Sequence, residues 1–233
     1  MKSYGFFHFL SWLISILVVV WIVLTGVRLL LMPLFVTLEY NAPGFPDDSF
    51  GFSKNDRLYW SKIALNYLLN DADIAYLGDL KFTDGQPVYN QRELRHMVDV
   101  KKVVKSALLV WYGSMVLIAG VGLWAWRGGW WEIYRIGISR GGWMTVSLLV
   151  LIIFLVLFSF NTFFVSFHNV FFQAGTWQFL YSDTLIRLFP ERFWQDAFLL
   201  VGVVAIGLGI VLGLAFVIKK KSRSPDSSEA GRG

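Results

Sequence analysis

The chain has 233 residues, of which 56% are hydrophobic and 16% charged, with a formal net charge of +5. Soluble domains usually carry about 25% charged residues, so this composition leaves a soluble surface badly covered, and the basic excess needs no nucleic acid to explain it because Lys219, Lys220, Lys221 and Arg223 directly follow an apolar run. The absence of Cys excludes a disulfide framework, a thiolate metal site and a cysteine nucleophile.

A bilayer-spanning helix needs about 20 mostly apolar residues, and four runs meet that length. The first extends from Phe6 to Val36 and is interrupted by Arg28. It is longer than the apolar core of a secretory signal and is followed by no A-x-A-like site, so it reads as an uncleaved anchor. Rising about 1.5 Å per residue, it puts Arg28 near one bilayer interface. There Arg28 either snorkels to lipid phosphate or serves an outward-facing site as an anion clamp. Residues 38–105 form a large segment outside the membrane. Asn41 to Phe52 is loop, rich in turn formers. Ser53, with Asp56 three residues on, opens a helix to Leu69 in a capping-box pattern. Asp71 to Pro87 reads as turns with one short extended piece. Asn90 with Glu93 repeats the capping-box pattern and opens a helix that continues into the second span, Ser106 to Trp126.

The third span covers Gly142 to Phe167 and the fourth Ala197 to Ile218. The second carries Gly113, Gly120 and Gly122; Gly209 and Gly213 form a GxxxG in the fourth, read as packing within the chain. Loop 127–141 holds Arg127, Arg135 and Arg140, and the polar tail 219–233 holds the lysine cluster. Basic residues favour the cytoplasm, so both are assigned there and 38–105 and 166–196 to the other side. The fold expected is all-α: a polytopic membrane protein of four transmembrane helices (1–37, then three within 106–218) with a mainly helical extracytoplasmic segment between the first two. The tail reads as disordered.

Familiar catalytic and nucleotide motifs are absent. Three histidines remain. His8 reads as a residue of the inner end of the first span. His96 shares a helix face with Arg92 and Asp99, and a carboxylate at that spacing can fix an imidazole tautomer. His168 sits among Phe163, Phe164, Phe167, Phe171 and Phe172. The topology puts His96 and His168 on the same outer side, where they can serve as base and acid at an ester or as two ligands of a metal whose third ligand is not evident. If the Asn90 helix ran straight along the membrane normal, His96 would stand about 10 Å above His168. Their meeting therefore requires either a tilt or break between Asn90 and Lys105, or a third span that continues outward through His168 to Phe172. Lys101, Lys102 and Lys105 would reach lipid phosphates in the tilted case.

Two segments carry a family resemblance: FHNVFFQAGTWQFLYSDTLIRLFPERFWQDA, Phe167 to Ala197, and RELRHMVDVK, Arg92 to Lys101. They resemble the signatures of the bacterial lipoprotein intramolecular transacylases, integral membrane proteins of the plasma (inner) membrane, and the four-span layout fits as well. The resemblance implies transfer of the sn-2 acyl chain of an S-diacylglyceryl cysteine to the α-amino group of the same cysteine, at the extracytoplasmic face, giving a lyso-form lipoprotein. It implies catalysis by His96 and His168 with Asp99 orienting His96. Arg92 or Arg95, with Arg28, would hold a polar group of the lipid and Trp177 would pack on its chains. The expected partners are a diacylglyceryl-modified lipoprotein N-terminus and membrane lipids, with no nucleic acid, nucleotide, metal or cofactor. The competing expectation is a non-catalytic scaffold or accessory protein that binds a partner through the extracytoplasmic segment. A transporter is disfavoured, since the spans carry few polar groups beyond Arg28 and Asn161.

Overall fold

The computed structural model describes residues 2–216, with side chains from Gly5 onward; the assignments for Ile218 and tail 219–233, including the lysine cluster, lie outside the described residues. Among the described residues nine helices follow in chain order: α1 (Lys2–Leu30), α2 (Pro33–Tyr40), α3 (Lys54–Leu69), α4 (Ala75–Gly78), α5 (Gln91–Arg127), α6 (Trp131–Phe158), α7 (Phe160–Phe171), α8 (Thr184–Leu188) and α9 (Glu191–Ala215). Among the described residues the only β pairing is one bridge, Lys81 to Pro87. Helices α1, α5, α6 and α9 are long and apolar enough to cross a bilayer. The chain is therefore an all-α, multi-pass membrane protein.

The spans approach closely because small residues line their crossings. On α6, a Cβ at Gly137 would lie 2.7 Å from the Ser11 carbonyl of α1, and one at Gly142 would lie 2.5 Å from the Gly209 carbonyl of α9. Polar side chains tie the same crossings. Ser15 Oγ donates to Gly137 O at 2.9 Å and Ser139 Oγ donates to Gly213 O at 2.8 Å. The GxxxG of α9 thus packs on α6 within one chain. Gly113 and Gly120 of α5 face open space instead.

The boundaries differ from the sequence expectation in three places. The first span ends at Leu30, and Pro33 starts the separate helix α2; proline is excluded from a helix interior and favoured in a first turn. Most of 127–141 is helix, not loop. Arg135 lies within α6, where it donates to Glu132 at 3.0 Å and to Phe216 O at 2.9 Å, and the Arg140 guanidinium lies 3.9 Å from the Trp12 ring centroid. Long basic stems let a charge ride on a helix near an interface, so these arginines do not mark a loop. The third span breaks at Ser159, whose extended backbone caps both the end of α6 and the start of α7.

The segment between the first two spans folds over one end of the bundle. Both expected capping boxes form, at Ser53 with Asp56 and at Asn90 with Glu93. A buried cluster of Tyr67, Leu77, Val88, Tyr89, Leu94, Met97, Leu185 and Leu188 joins α3, α4 and α8 to the outer part of α5. Arg57, almost fully buried, donates to Pro46 O at 2.6 Å and Arg187 O at 3.0 Å. Arg187 in turn pairs with Asp48 at 2.9 Å. Lys101 donates to Asn70 Oδ1 at 3.1 Å and Lys105 pairs with Asp71 at 2.5 Å, so these lysines anchor the 70–72 turn rather than reaching outward.

Candidate functional site

Helix α5 has 37 residues and is about 55 Å long, against a hydrocarbon core of about 30 Å. Its charged first part, from Arg92 to Lys105, therefore stands outside the membrane, and its capping box fixes where it begins. His96 lies on this extension. Helix α7, set off from α6 by the break at Ser159, carries His168 near its end. Helix α5 runs unbroken through His96, and the two histidines meet. Their ring centroids are 6.3 Å apart with planes inclined by 22°.

Both imidazoles are enclosed, His96 9% and His168 8% exposed. Aromatic rings form the walls. Phe172 and Phe179 lie 4.9 Å and 5.3 Å from His96. Phe164 and Trp177 lie 4.1 Å and 4.6 Å from His168. His168 Nδ1 is 2.8 Å from Phe164 O. A carbonyl only accepts, so Nδ1 carries the proton and Nε2 of the neutral ring is left with a lone pair. His96 Nδ1 is enclosed and has no hydrogen-bond partner.

The enclosure sets the charge. Burial pushes the His96 pKa down from the usual histidine value to about 4, helped by His168 and opposed by Asp99. Burial lowers His168 as well, against the Phe164 bond that favours its protonated form. Both rings are therefore neutral at neutral pH and available as proton acceptors. A solvated histidine, with a pKa of about 6.5, is mostly protonated at pH 5.5. Nitrogen NMR on histidine-labelled protein should find His96 still neutral there; titration of His96 near pH 6.5 would contradict the enclosure.

The remaining predicted site residues distribute unevenly. Trp177 packs on His168, with its indole Nε1 enclosed and unpaired. Arg92 donates to Asp183 at 3.0 Å and its guanidinium lies 5.8 Å from the Phe179 ring centroid, so it borders the aromatic enclosure. Asp99 pairs with Lys102 at 3.1 Å and makes no hydrogen bond to His96; it acts on that ring only through its charge. Arg95 is exposed and bonds its own helix at Gln91 O. Arg28 is half-buried and has no ion pair or hydrogen bond among the described residues. It lies one turn from Thr25, which bonds Trp111 at 3.0 Å. Trp111 is about 22 Å along α5 from His96, so Arg28 sits deeper than the pair.

Three contributors escaped the sequence reading. Asp183 receives Arg92, the Asn90 side chain at 3.0 Å and its own turn at Leu180 N. Phe179 closes one side of His96. Glu93, beyond its capping role, also accepts the Leu185 N–H at 2.7 Å and so fastens α8 to the helix that carries His96. The only signal available in the sequence was their place in the Phe167 to Ala197 segment or beside His96.

Comparison with known proteins agrees with this architecture. The family model described as lipoprotein intramolecular transacylase Lit matches residues 12–194, which include both histidines and every wall residue of the enclosure. A protein of Aquifex aeolicus (strain VF5), described as uncharacterized, is 30% identical over 195 residues, 80% of this chain and 83% of its own length. The membrane integral lipoprotein intramolecular transacylase Lit from Bacillus cereus shares the fold at 18% identity, with a TM-score of 0.69 over 89% of this chain and 93% of that one. A variant of the same protein with a histidine-to-alanine mutation matches at 19% identity, with a TM-score of 0.66 over 96% of this chain and all of that one. The chain belongs to the lipoprotein intramolecular transacylase Lit family.

Proposed function

We propose that the protein is an O-to-N lipoprotein transacylase that converts diacylglyceryl-modified lipoproteins to the lyso form. The observation that carries this reading is the histidine pair, 6.3 Å apart and walled by aromatic rings, at the end of the bundle where the extramembrane segment meets the spans. That level suits a glycerol ester, whose acyl chains lie in the bilayer and whose cysteine lies outside it.

In this reading the cysteine α-amine and the sn-2 ester belong to one molecule, so binding supplies proximity without a covalent enzyme intermediate. The amine nitrogen attacks the ester carbonyl and its proton passes to His168 Nε2, the nitrogen left basic by the Nδ1 bond to Phe164 O. The C–O bond to glycerol then breaks and the glycerol oxygen takes a proton, delivered through the pair, in which His96 faces His168. An ester becomes an amide, which is downhill, so no energy source or cofactor is required. Arg92, held by Asp183, is positioned for a polar group of the lipid; Trp177 and the phenylalanines pack on its chains. Arg28, unpaired but deeper than the pair, lies at the level of the acyl chains and not of the headgroup. Arg95 lies outside the enclosure and contributes charge at its rim. Asp99 biases the His96 ring electrostatically, and its conversion to Asn costs less than loss of either histidine.

The protein resides in the bacterial plasma (inner) membrane with both termini in the cytoplasm and the histidine pair at the extracytoplasmic face. A cysteine placed at exposed Thr83 should react with an impermeant thiol reagent in intact cells, and one at Ser224 should not. The reverse pattern overturns this orientation, and the absence of native Cys keeps the background low. The reaction itself is tested by mass spectrometry of the N-terminal peptide of a co-expressed lipoprotein. An N-acyl cysteine with one S-linked acylglycerol chain, dependent on this protein, is the expected product; an unchanged diacylglyceryl peptide with a free amine would exclude the activity.

A further inference from the structure

The walls around the histidine pair are almost wholly hydrocarbon. Phe164, Phe167, Phe172 and Phe179 present rings with no polar atom. Trp177 is the exception. Its ring lies 4.6 Å from His168, inclined by 35°, so a phenylalanine there would supply similar stacking. Its Nε1 is enclosed and has no partner. Indole nitrogen is a donor only, and buried tryptophan N–H groups usually find an acceptor. Leaving one unsatisfied is costly, so the arrangement calls for an acceptor that arrives with the substrate. Beside it lie His168 Nε2 and the enclosed His96 Nδ1, and the unpaired Arg92 Nε is at the border.

We infer that the Trp177 indole N–H is the oxyanion donor of the reaction, hydrogen-bonding the sn-2 carbonyl oxygen as the tetrahedral intermediate forms. This rests on the transacylase reading. When the amine nitrogen attacks, the carbonyl π electrons move onto oxygen and the amine proton leaves to His168. A neutral donor fixed against that histidine meets the developing charge without reorganisation, in a site from which the aromatic walls exclude water. The oxyanion lone pair re-forms the carbonyl as the glycerol C–O bond breaks, and that bond's electron pair leaves on the glycerol oxygen, which takes the proton from the histidines, so the donor is needed only transiently. The choice of tryptophan follows: the ring is apolar toward the acyl chains, and its single N–H cannot take up the proton that must pass between the histidines.

The test compares wild type with Trp177→Phe, which keeps an aromatic ring on His168 and removes the N–H, using purified protein in nanodiscs and a synthetic S-diacylglyceryl cysteine lipopeptide. The expected result is a fall in kcat of about 10²–10³-fold, the usual effect of removing one oxyanion donor, with KM changed no more than a few-fold. An unchanged kcat overturns the inference. So does a raised KM at full kcat, which would mean that the N–H holds the lipid in its ground state. If Trp177→Phe does not melt cooperatively, genetic replacement of Trp177 by 3-benzothienylalanine decides, since it preserves the bicyclic shape without the donor and the same loss is expected. Wild-type protein that leaves the lipopeptide unconverted removes the transacylase reading itself, whereas active wild type with an equally active variant removes only the role of Trp177.

Discussion

Replacing either His96 or His168 by alanine should lower the rate of lyso-form production by about 10²–10⁴-fold, the range expected when a positioned acid–base group is removed. That range corresponds to about 3–5 kcal/mol of barrier. The two losses should not multiply. With rings 6.3 Å apart handling one proton inventory, the double variant should be nearly as active as the worse single one, because residues acting as a unit are strongly non-additive. Folding should survive, since neither ring carries a hydrogen bond to a distant element: His168 bonds Phe164 on its own helix, and His96 Nδ1 bonds nothing. The readout is lipopeptide turnover beside thermal melting in detergent. A variant that turns over at the wild-type rate is removed from the mechanism.

Glu93→Ala should produce the largest loss of stability outside the spans. One carboxyl oxygen accepts the Asn90 N–H at 2.8 Å and the other accepts the Leu185 N–H at 2.7 Å, and the side chain is almost fully buried. Alanine leaves both donors without partners, removes the α5 cap and frees α8. Charge-assisted bonds are worth about 1.5–3 kcal/mol each, so losing both gives an expected loss of about 3–6 kcal/mol. Glu93→Gln keeps one acceptor oxygen and should lose about half as much. Activity should fall with stability, because α8 and the Asp183 turn that precedes it hold Arg92 beside the enclosure. Thermal unfolding of the purified variants measures this; an alanine variant melting with wild type would show that Glu93 does not fasten α8.

Hydropathy alone was enough to find the four spans, because a bilayer demands a long apolar run. The capping boxes at Ser53 and Asn90 were legible because their partners sit three residues away. Local periodicity also put Arg92, His96 and Asp99 on one face, but it could not choose their partners. Lys102 is as close to Asp99 in sequence as His96 is, and it takes the carboxylate. Arg92 is taken by Asp183, 91 residues away. The break at Ser159 was illegible for a related reason. Serine interrupts a helix only when its hydroxyl and backbone find other partners, as Ser159 does by capping α7 at Thr162. The pairing of His96 with His168 was reachable from topology because both fall at the same end of the bundle, but the enclosure that keeps them neutral depends on Phe172, Trp177 and Phe179, and no spacing rule positions that loop.

The central claim is intramolecular acyl transfer, and an isotope crossover measurement tests it most directly. Purified protein receives an equal mixture of two S-diacylglyceryl lipopeptides, one carrying a deuterated sn-2 chain and a heavier peptide, the other neither. The account predicts N-acyl products in which the deuterated chain appears only on the heavier peptide, each molecule having lost its sn-2 ester. Deuterated acyl groups on the light peptide, or N-acyl peptide without loss of the sn-2 ester, would contradict it.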